Sequence, residues 1–154
     1  MDGLYDTDFY AWTQEQGRRL RTMAASRVNE SLDWEHIAEE IESTGRSDHD
    51  QMDSRLATIL EHMLKLAFST LPEPQRQWAN TVRTQRTSLL RLLRKSPSLR
   101  RHLPDDLAEC YADALKRLQP NLIELSMDPL PEDCPFDLDE QILNEDWLPE
   151  PPYR

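Results

Sequence analysis

The sequence predicts an all-α protein: a four- or five-helix bundle followed by an irregular, proline-rich acidic C-terminal segment. Three observations carry this. Apolar residues recur at three- and four-residue spacing from Asp6 to about Gln119. No run alternates at period two and only three glycines are present, so strands have little support. Pro72, Pro74, Pro97 and Pro120 punctuate the periodic segments, and each lacks the backbone donor that a continuing helix needs.

The first helix is predicted to start at Asp6 or Thr7, both N-cap residues, with Phe9, Trp12, Leu20 and Met23 on its apolar stripe. Gly17 weakens its middle. A second helix is capped by Asp33 and sets Trp34, Ile37, Ala38 and Ile41 on one face. A third carries Met52, Leu56, Ile59, Leu60, Met63 and Ala67 on its inner stripe. At about 100° per residue the two stripes stay in phase across Gly45, which is compatible with one helix of about 35 residues and roughly 52 Å. Such a length is unusual in a chain this short. A kink or break near Gly45, separating residues 33–44 from 47–68, is the expected arrangement.

The fourth helix spans Gln75 to Lys95 and buries Trp78, Val82, Leu89, Leu92 and Leu93. A fifth begins at Pro104, a favoured first-turn residue, and turns Leu107, Tyr111, Ala114, Leu115 and Leu118 inward. Seven of the eleven prolines follow Gln119, so that segment should be irregular apart from a short helix near Leu138 to Leu143. Trp147 and Leu148 are expected to pin the tail back onto the helices.

The 154 residues fit one domain, 1–154, divided into helices over 1–119 and a wrap over 120–154. A chain of this length buries about 68–70% of its unfolded surface, so neither a disulfide nor a metal is needed for folding. Two sparse cysteines, Cys110 and Cys134, fit a reducing compartment. No run of 18 apolar residues exists, so no membrane span is expected. Met1 to Phe9 carry three aspartates and no basic residue, unlike a secretory leader, and a cytoplasmic location is expected. Asn29-Glu30-Ser31 is then a chance match to a glycosylation acceptor.

Charge is segregated along the chain. Residues 1–70 carry 7 basic and 14 acidic side chains, residues 71–119 carry 10 and 5, and residues 120–154 carry 1 and 10. The net charge of −11 disfavours nucleic acid and anionic membranes as partners of the whole surface. Between Gln75 and Pro104, however, eight basic residues occur with no acid. Arg76, Arg83, Arg91 and Arg94 lie opposite the apolar face of the fourth helix, and Arg86 lies at its edge. Phosphate contact, docking to an acidic protein and pairing with carboxylates of residues 33–42 or 121–150 are three readings of that face. Intramolecular pairing or plain solvation is the expected one, with Arg83, Arg86, Arg91 and Arg94 as interaction candidates.

Glu35, Glu39 and Glu42 fall at i, i+4 and i+7, on one flank of the second helix. His36 and Glu39 are three apart, a usable spacing for two metal ligands, but ferritin-like bundles need a second such pair and none exists. His36 also points roughly 160° from the isoleucine face, toward solvent. No metal and no cofactor is expected; Glu35, Glu39, Glu42 and His62 are weak metal candidates against the reading of a solvated flank paired with arginines. Cys110 reads as a small core residue, and carboxylates around Cys134 should raise its thiol pKa. There is no G-x-S-x-G, P-loop, G-x-G-x-x-G, H-E-x-x-H or C-x-x-C motif.

The order of several short motifs resembles the bacterial DUF29 family, a domain family of unknown function. The matching pieces are Tyr5 to Trp12, Leu32-Asp33-Trp34, Ile37 to Ser43 with Gly45 and Arg46, Leu64-Lys65, Trp78, Ser96 to Leu99, Cys134-Pro135 and Asp146 to Pro149. The resemblance implies a compact all-helical domain in a bacterial cytoplasm and assigns no reaction. Its Glu-Glu-Ile-Glu motif falls on Glu39, Glu40 and Glu42, which joins these residues to the interaction candidates; at His36 the family pattern is often Asn.

Function is therefore unassigned, and a non-catalytic interaction or accessory protein with a protein partner is the first expectation. A nucleic-acid-associated protein using the basic stretch 76–101, and a metal-dependent hydrolase using a Glu/His cluster on residues 33–68, are the alternatives.

Overall fold

In the computed structural model, residues 3–26 and 31–152 are described. Five α-helices follow in order: α1 (Leu4–Thr7), α2 (Phe9–Ala25), α3 (Trp34–Phe68), α4 (Gln75–Lys95) and α5 (Leu103–Leu118). Tight 3₁₀ turns cover Pro97–His102 and Gln119–Asn121, and a single π-helical turn covers Leu138–Ile142. Among the described residues there is no strand, only one antiparallel bridge between Ser69 and Met127. No helix there is long and apolar enough to cross a membrane. Asn29 and Glu30 lie outside the described residues.

The residues fall into two compact units, 1–52 with 92–101, and 53–91 with 102–154. In the first, Asp8 rather than Asp6 or Thr7 caps the long N-terminal helix. Its Oδ1 accepts from Ala11 N at 2.9 Å, and the same carboxylate accepts from Ser98 N and Ser98 Oγ at 2.7 and 2.8 Å. Tyr10 N donates to the buried Ser96 Oγ at 3.0 Å. One cap thus satisfies orphan amides of α2 and ties its start to the turn after α4.

The expected separation at Gly45 is not a break: residues 34–68 form one continuous 35-residue helix. Gly45 instead makes close approach possible, since a Cβ there would run into the Thr13 side chain of α2. Gly17 serves likewise, because its Cβ would lie 2.5 Å from Glu42 Cγ. The buried residues of α2 are accordingly Thr13 and Gly17. Phe9 and Trp12 are half-buried and Met23 is exposed. Tyr5, Phe9 and Trp12 pack on one another, with Lys95 Nζ 4.3 Å from the Phe9 ring centre.

The second unit holds the larger core. Leu56, Ile59, Leu60 and Met63 of α3, Val82 and Leu89 of α4, and Tyr111, Ala114 and Leu118 of α5 are buried, as the periodicity predicts; Leu103, which the sequence reading left out, is buried as well, and Leu107 and Leu115 are only half-buried. Helix α5 starts one residue earlier than expected, with Pro104 in its first turn. The chain after Asn121 satisfies its backbone through the helices. Ser69 Oγ donates to Leu125 O at 2.5 Å, Thr70 N donates to Ser126 O at 3.1 Å, and Tyr111 Oη donates to Pro131 O at 2.6 Å. The short helix near 138–143 is a π turn, with Ile142 N and Leu143 N donating to carbonyls five residues back. Ile142, Leu143 and Phe136 supply its buried apolar side chains. Trp147 stacks edge-on against Phe136, a contact inside the tail segment itself.

Candidate functional site

The carboxylate flank of α3 closes on a single guanidinium from α2. Arg21 Nη1 donates to Glu35 Oε2 at 2.9 Å and Nη2 to Glu39 Oε2 at 3.2 Å. Its Nε and Nη2 donate to the two oxygens of Glu42 at 2.9 and 2.8 Å, a bidentate pair. Arg46 Nη2 adds a bond to Glu39 Oε1 at 2.6 Å. The Arg21 hydrogen bonds hold the Glu42 carboxyl below its ordinary range, and Glu42 in turn raises the Arg21 pKa. Three of the four weak metal candidates, Glu35, Glu39 and Glu42, are brought together, but the point on which they converge is occupied by the Arg21 guanidinium; His62 is not among them. Glu40 is exposed on the same helix.

His36 and His62, two of the four histidines, have separate local partners. His36 is exposed, and its Nδ1 donates to Asp33 Oδ2 at 2.5 Å; that carboxylate raises its pKa. His62 belongs to the second unit, where Nδ1 donates to Thr58 O at 2.9 Å and burial lowers its pKa.

An open depression of about 630 Å³ lies in the first unit, lined by Gln14, Glu15, Arg18, Arg21, Glu42 and Arg101 among others. Arg18 and Arg19 both pair with Glu15, at 2.5 and 2.7 Å. Arg101 has no carboxylate partner among the described residues. Cation and carboxylate alternate around this depression, which neutralises most of its field.

The basic helix differs from expectation in its pairing and in the place of Arg86. Arg76, Arg83 and Arg91 are exposed in the second unit, and Arg94 is exposed on the part of α4 that belongs to the first. Among the described residues none of these four has a carboxylate within ion-pair distance; Arg83 reaches only Asn80 Oδ1, at 3.5 Å. The expected pairing with carboxylates of residues 33–42 or 121–150 is therefore not formed by them. Arg86 is not at a surface edge but 1% exposed. Its Nε donates to Ile142 O at 2.8 Å and Nη2 to Gln141 O at 3.2 Å. The C-terminal segment meets this helix through backbone carbonyls, and an interior arginine does the binding. A sequence signal existed: Arg86 lies roughly 65° from the centre of the apolar stripe, closer than any other arginine of the helix. Arg21 carried no comparable signal, because its partners lie 14 to 21 residues away.

Both thiols have raised pKa values. Burial pushes Cys110 up to about 12, helped by Asp53, Asp106, Asp113 and Glu109. Cys134 is also raised, but by burial rather than by the neighbouring carboxylates expected from the sequence.

No curated protein matches the sequence. The fold is similar to the crystal structure of an α-helical protein of unknown function from Rhodospirillum rubrum ATCC 11170, with a TM-score of 0.78 and 27% identity. That likeness covers 93% of this chain and 90% of the other. The family model for a domain of unknown function, DUF29, matches residues 4–148, nearly the whole length, and the motifs from Tyr5 to Leu148 fall inside it; the chain belongs to the DUF29 family.

Proposed function

We propose that this protein is a non-catalytic interaction module of a bacterial cytoplasm, and that the outer face of α4 docks an acidic surface of a partner protein. The observation that carries this reading is the set of exposed arginines Arg76, Arg83 and Arg91, none with a carboxylate partner among the described residues, in a chain of net charge −11. Elsewhere the acidic groups are abundant and arginines find them: Arg18, Arg19, Arg21, Arg46 and Arg117 all hold glutamates. Cations left unpaired amid such an excess of acid are available to a partner, and rim charges of this kind set association rate and partner choice more than raw affinity. The two free thiols, Cys110 buried and Cys134 half-buried, fit a reducing compartment.

Affinity capture from a native host, comparing wild type with Arg76→Glu/Arg83→Glu/Arg91→Glu, tests the reading. A partner that is captured by wild type, is lost with the triple variant and weakens with salt supports it. Binding of duplex DNA by the purified chain, with a steep inverse dependence on salt, would move the nucleic-acid alternative to first place.

A further inference from the structure

Arg86 is a buried cation without a counter-charge. Its side chain is fully interior, its Nε and Nη2 are spent on two neutral carbonyls, and no protein acceptor lies within reach of Nη1. No carboxylate among the described residues forms an ion pair with it. Burying a guanidinium against neutral dipoles leaves most of its desolvation cost uncompensated. Burial accordingly lowers the Arg86 pKa, Glu145 opposes that effect from beyond ion-pair distance, and Arg83 adds to it.

These same groups line one recess. Arg83, Arg86, Thr87 and Glu145 enclose about 170 Å³ in the second unit, at the seam between α4 and the chain that follows the π turn. A water occupies about 30 Å³ of liquid, so the recess has room for a small polyatomic anion. The exposed Arg83 guanidinium and the Thr87 hydroxyl supply donors above the buried Arg86 charge, while the one carboxylate present, Glu145, is exposed and bonded to nothing among the described residues.

We propose that this recess is a binding site for a small tetrahedral oxyanion of the phosphate or sulfate class. The anion occupies the recess over the buried guanidinium of Arg86, which supplies positive charge rather than an exposed donor, with the exposed Arg83 and Thr87 as its hydrogen-bond donors. Glu145 stands at the mouth as a competing negative charge that swings away when the site fills. Because Gln141 and Ile142 hang on the same guanidinium, occupancy also tightens the hold of α4 on the C-terminal segment. This inference does not rest on the docking role above: its test uses the purified chain alone.

Thermal unfolding and calorimetric titration with sodium phosphate and sodium sulfate, against sodium chloride at matched ionic strength, provide the test. A saturable rise in Tm with phosphate or sulfate, absent with chloride, is the expected result. Glu145→Gln removes the competing charge and should tighten Kd about three- to tenfold, whereas Arg83→Gln should weaken it by a similar factor. Both residues are exposed, so neither variant endangers the fold, and the pair decides the matter even where Arg86→Lys does not fold. Phosphate and sulfate effects no larger than those of chloride would overturn the proposal. So would an oxyanion affinity that Arg83→Gln and Glu145→Gln both leave unchanged, and so would a loss of stability on Glu145→Gln in a chain that binds no anion, because Glu145 would then be the partner of Arg86.

Discussion

Replacing Gly45 by Ala separates two roles for this residue. A glycine that merely interrupts a helix is a liability, and Ala should stabilise the protein by roughly 0.8–1 kcal/mol. Gly45 is buried, however, and an added Cβ would run into Thr13 Oγ1 while lying 3.2 Å from Gln14 Nε2 and 3.3 Å from Thr13 Cβ. Thr13 is 0% exposed and its hydroxyl donates to Tyr10 O at 2.7 Å, so it cannot turn aside without losing that bond. Overpacking of this kind costs about 1–3 kcal/mol, enough to cancel or exceed the propensity gain. Gly45→Ala should therefore be neutral to destabilising, by about 0–2 kcal/mol in urea unfolding at unchanged m. The sharper quantity is the coupling with Thr13→Ala. Once the threonine hydroxyl is gone the severe contact is relieved, with only Thr13 Cβ and Gln14 Nε2 left close, so Gly45→Ala should become less costly or stabilising and the cycle should return about 1–3 kcal/mol. A Gly45→Ala variant that stabilises the wild-type background by the full helical increment, with no coupling to Thr13, would refute the close-approach account.

Arg21→Gln leaves Glu35, Glu39 and Glu42 facing one another; stability should fall, and added salt, which screens their repulsion, should restore part of it in thermal melts. The folded Glu42 pKa is lowered, so its contribution is present above the unfolded value and lost as pH falls through the folded one; Arg21→Gln should flatten that acid limb of the stability profile. His36 and His62 should titrate on opposite sides of their ordinary value by NMR. His36 is raised by Asp33, so its stabilisation is lost as pH rises through its folded pKa and vanishes in Asp33→Asn. His62 is lowered by burial, so the folded state loses stability as pH falls. A disulfide reagent at mildly alkaline pH should leave Cys110 unmodified in the folded chain and react with both cysteines after denaturation; rapid labelling of Cys110 in the native state would contradict its raised pKa and burial.

The helices were legible because their cores are built on period. Leu56, Ile59, Leu60 and Met63, and Val82 with Leu89, are buried where a wheel puts them, and the span Gln75–Lys95 falls between Pro74 and Pro97 as the proline stops require. What escaped were residues whose role depends on something far off in sequence. Gly45 has the same identity whether it breaks a helix or lets Thr13 come close, and only the neighbour distinguishes the two. Asp8 caps the helix where Asp6 or Thr7 was expected, and its carboxylate is also held by Ser98, ninety positions away. Local chemistry names the candidates for a cap; it does not choose among them.

Charge was the least legible property, for the same reason. An acid–base–acid pattern suggested that the basic helix would be neutralised by the acidic segments, yet Glu35, Glu39 and Glu42 are held by Arg21 and Arg46, and the tail reaches Arg86 through carbonyls. Formal charge counts which groups exist, not which of them the backbone lets meet. The carboxylate flank meets two well-placed guanidiniums, and its glutamates are spent on them. Where a guanidinium is buried against neutral oxygens, the imbalance stays in the structure. Arg86 is that case, and a cation so placed draws an anion of the solvent or cell toward the recess beside it, with the surface arginines Arg76, Arg83 and Arg91 adding to the same potential. The residue that a helical wheel puts at an edge thus becomes the centre of the most chemically loaded place in the second unit.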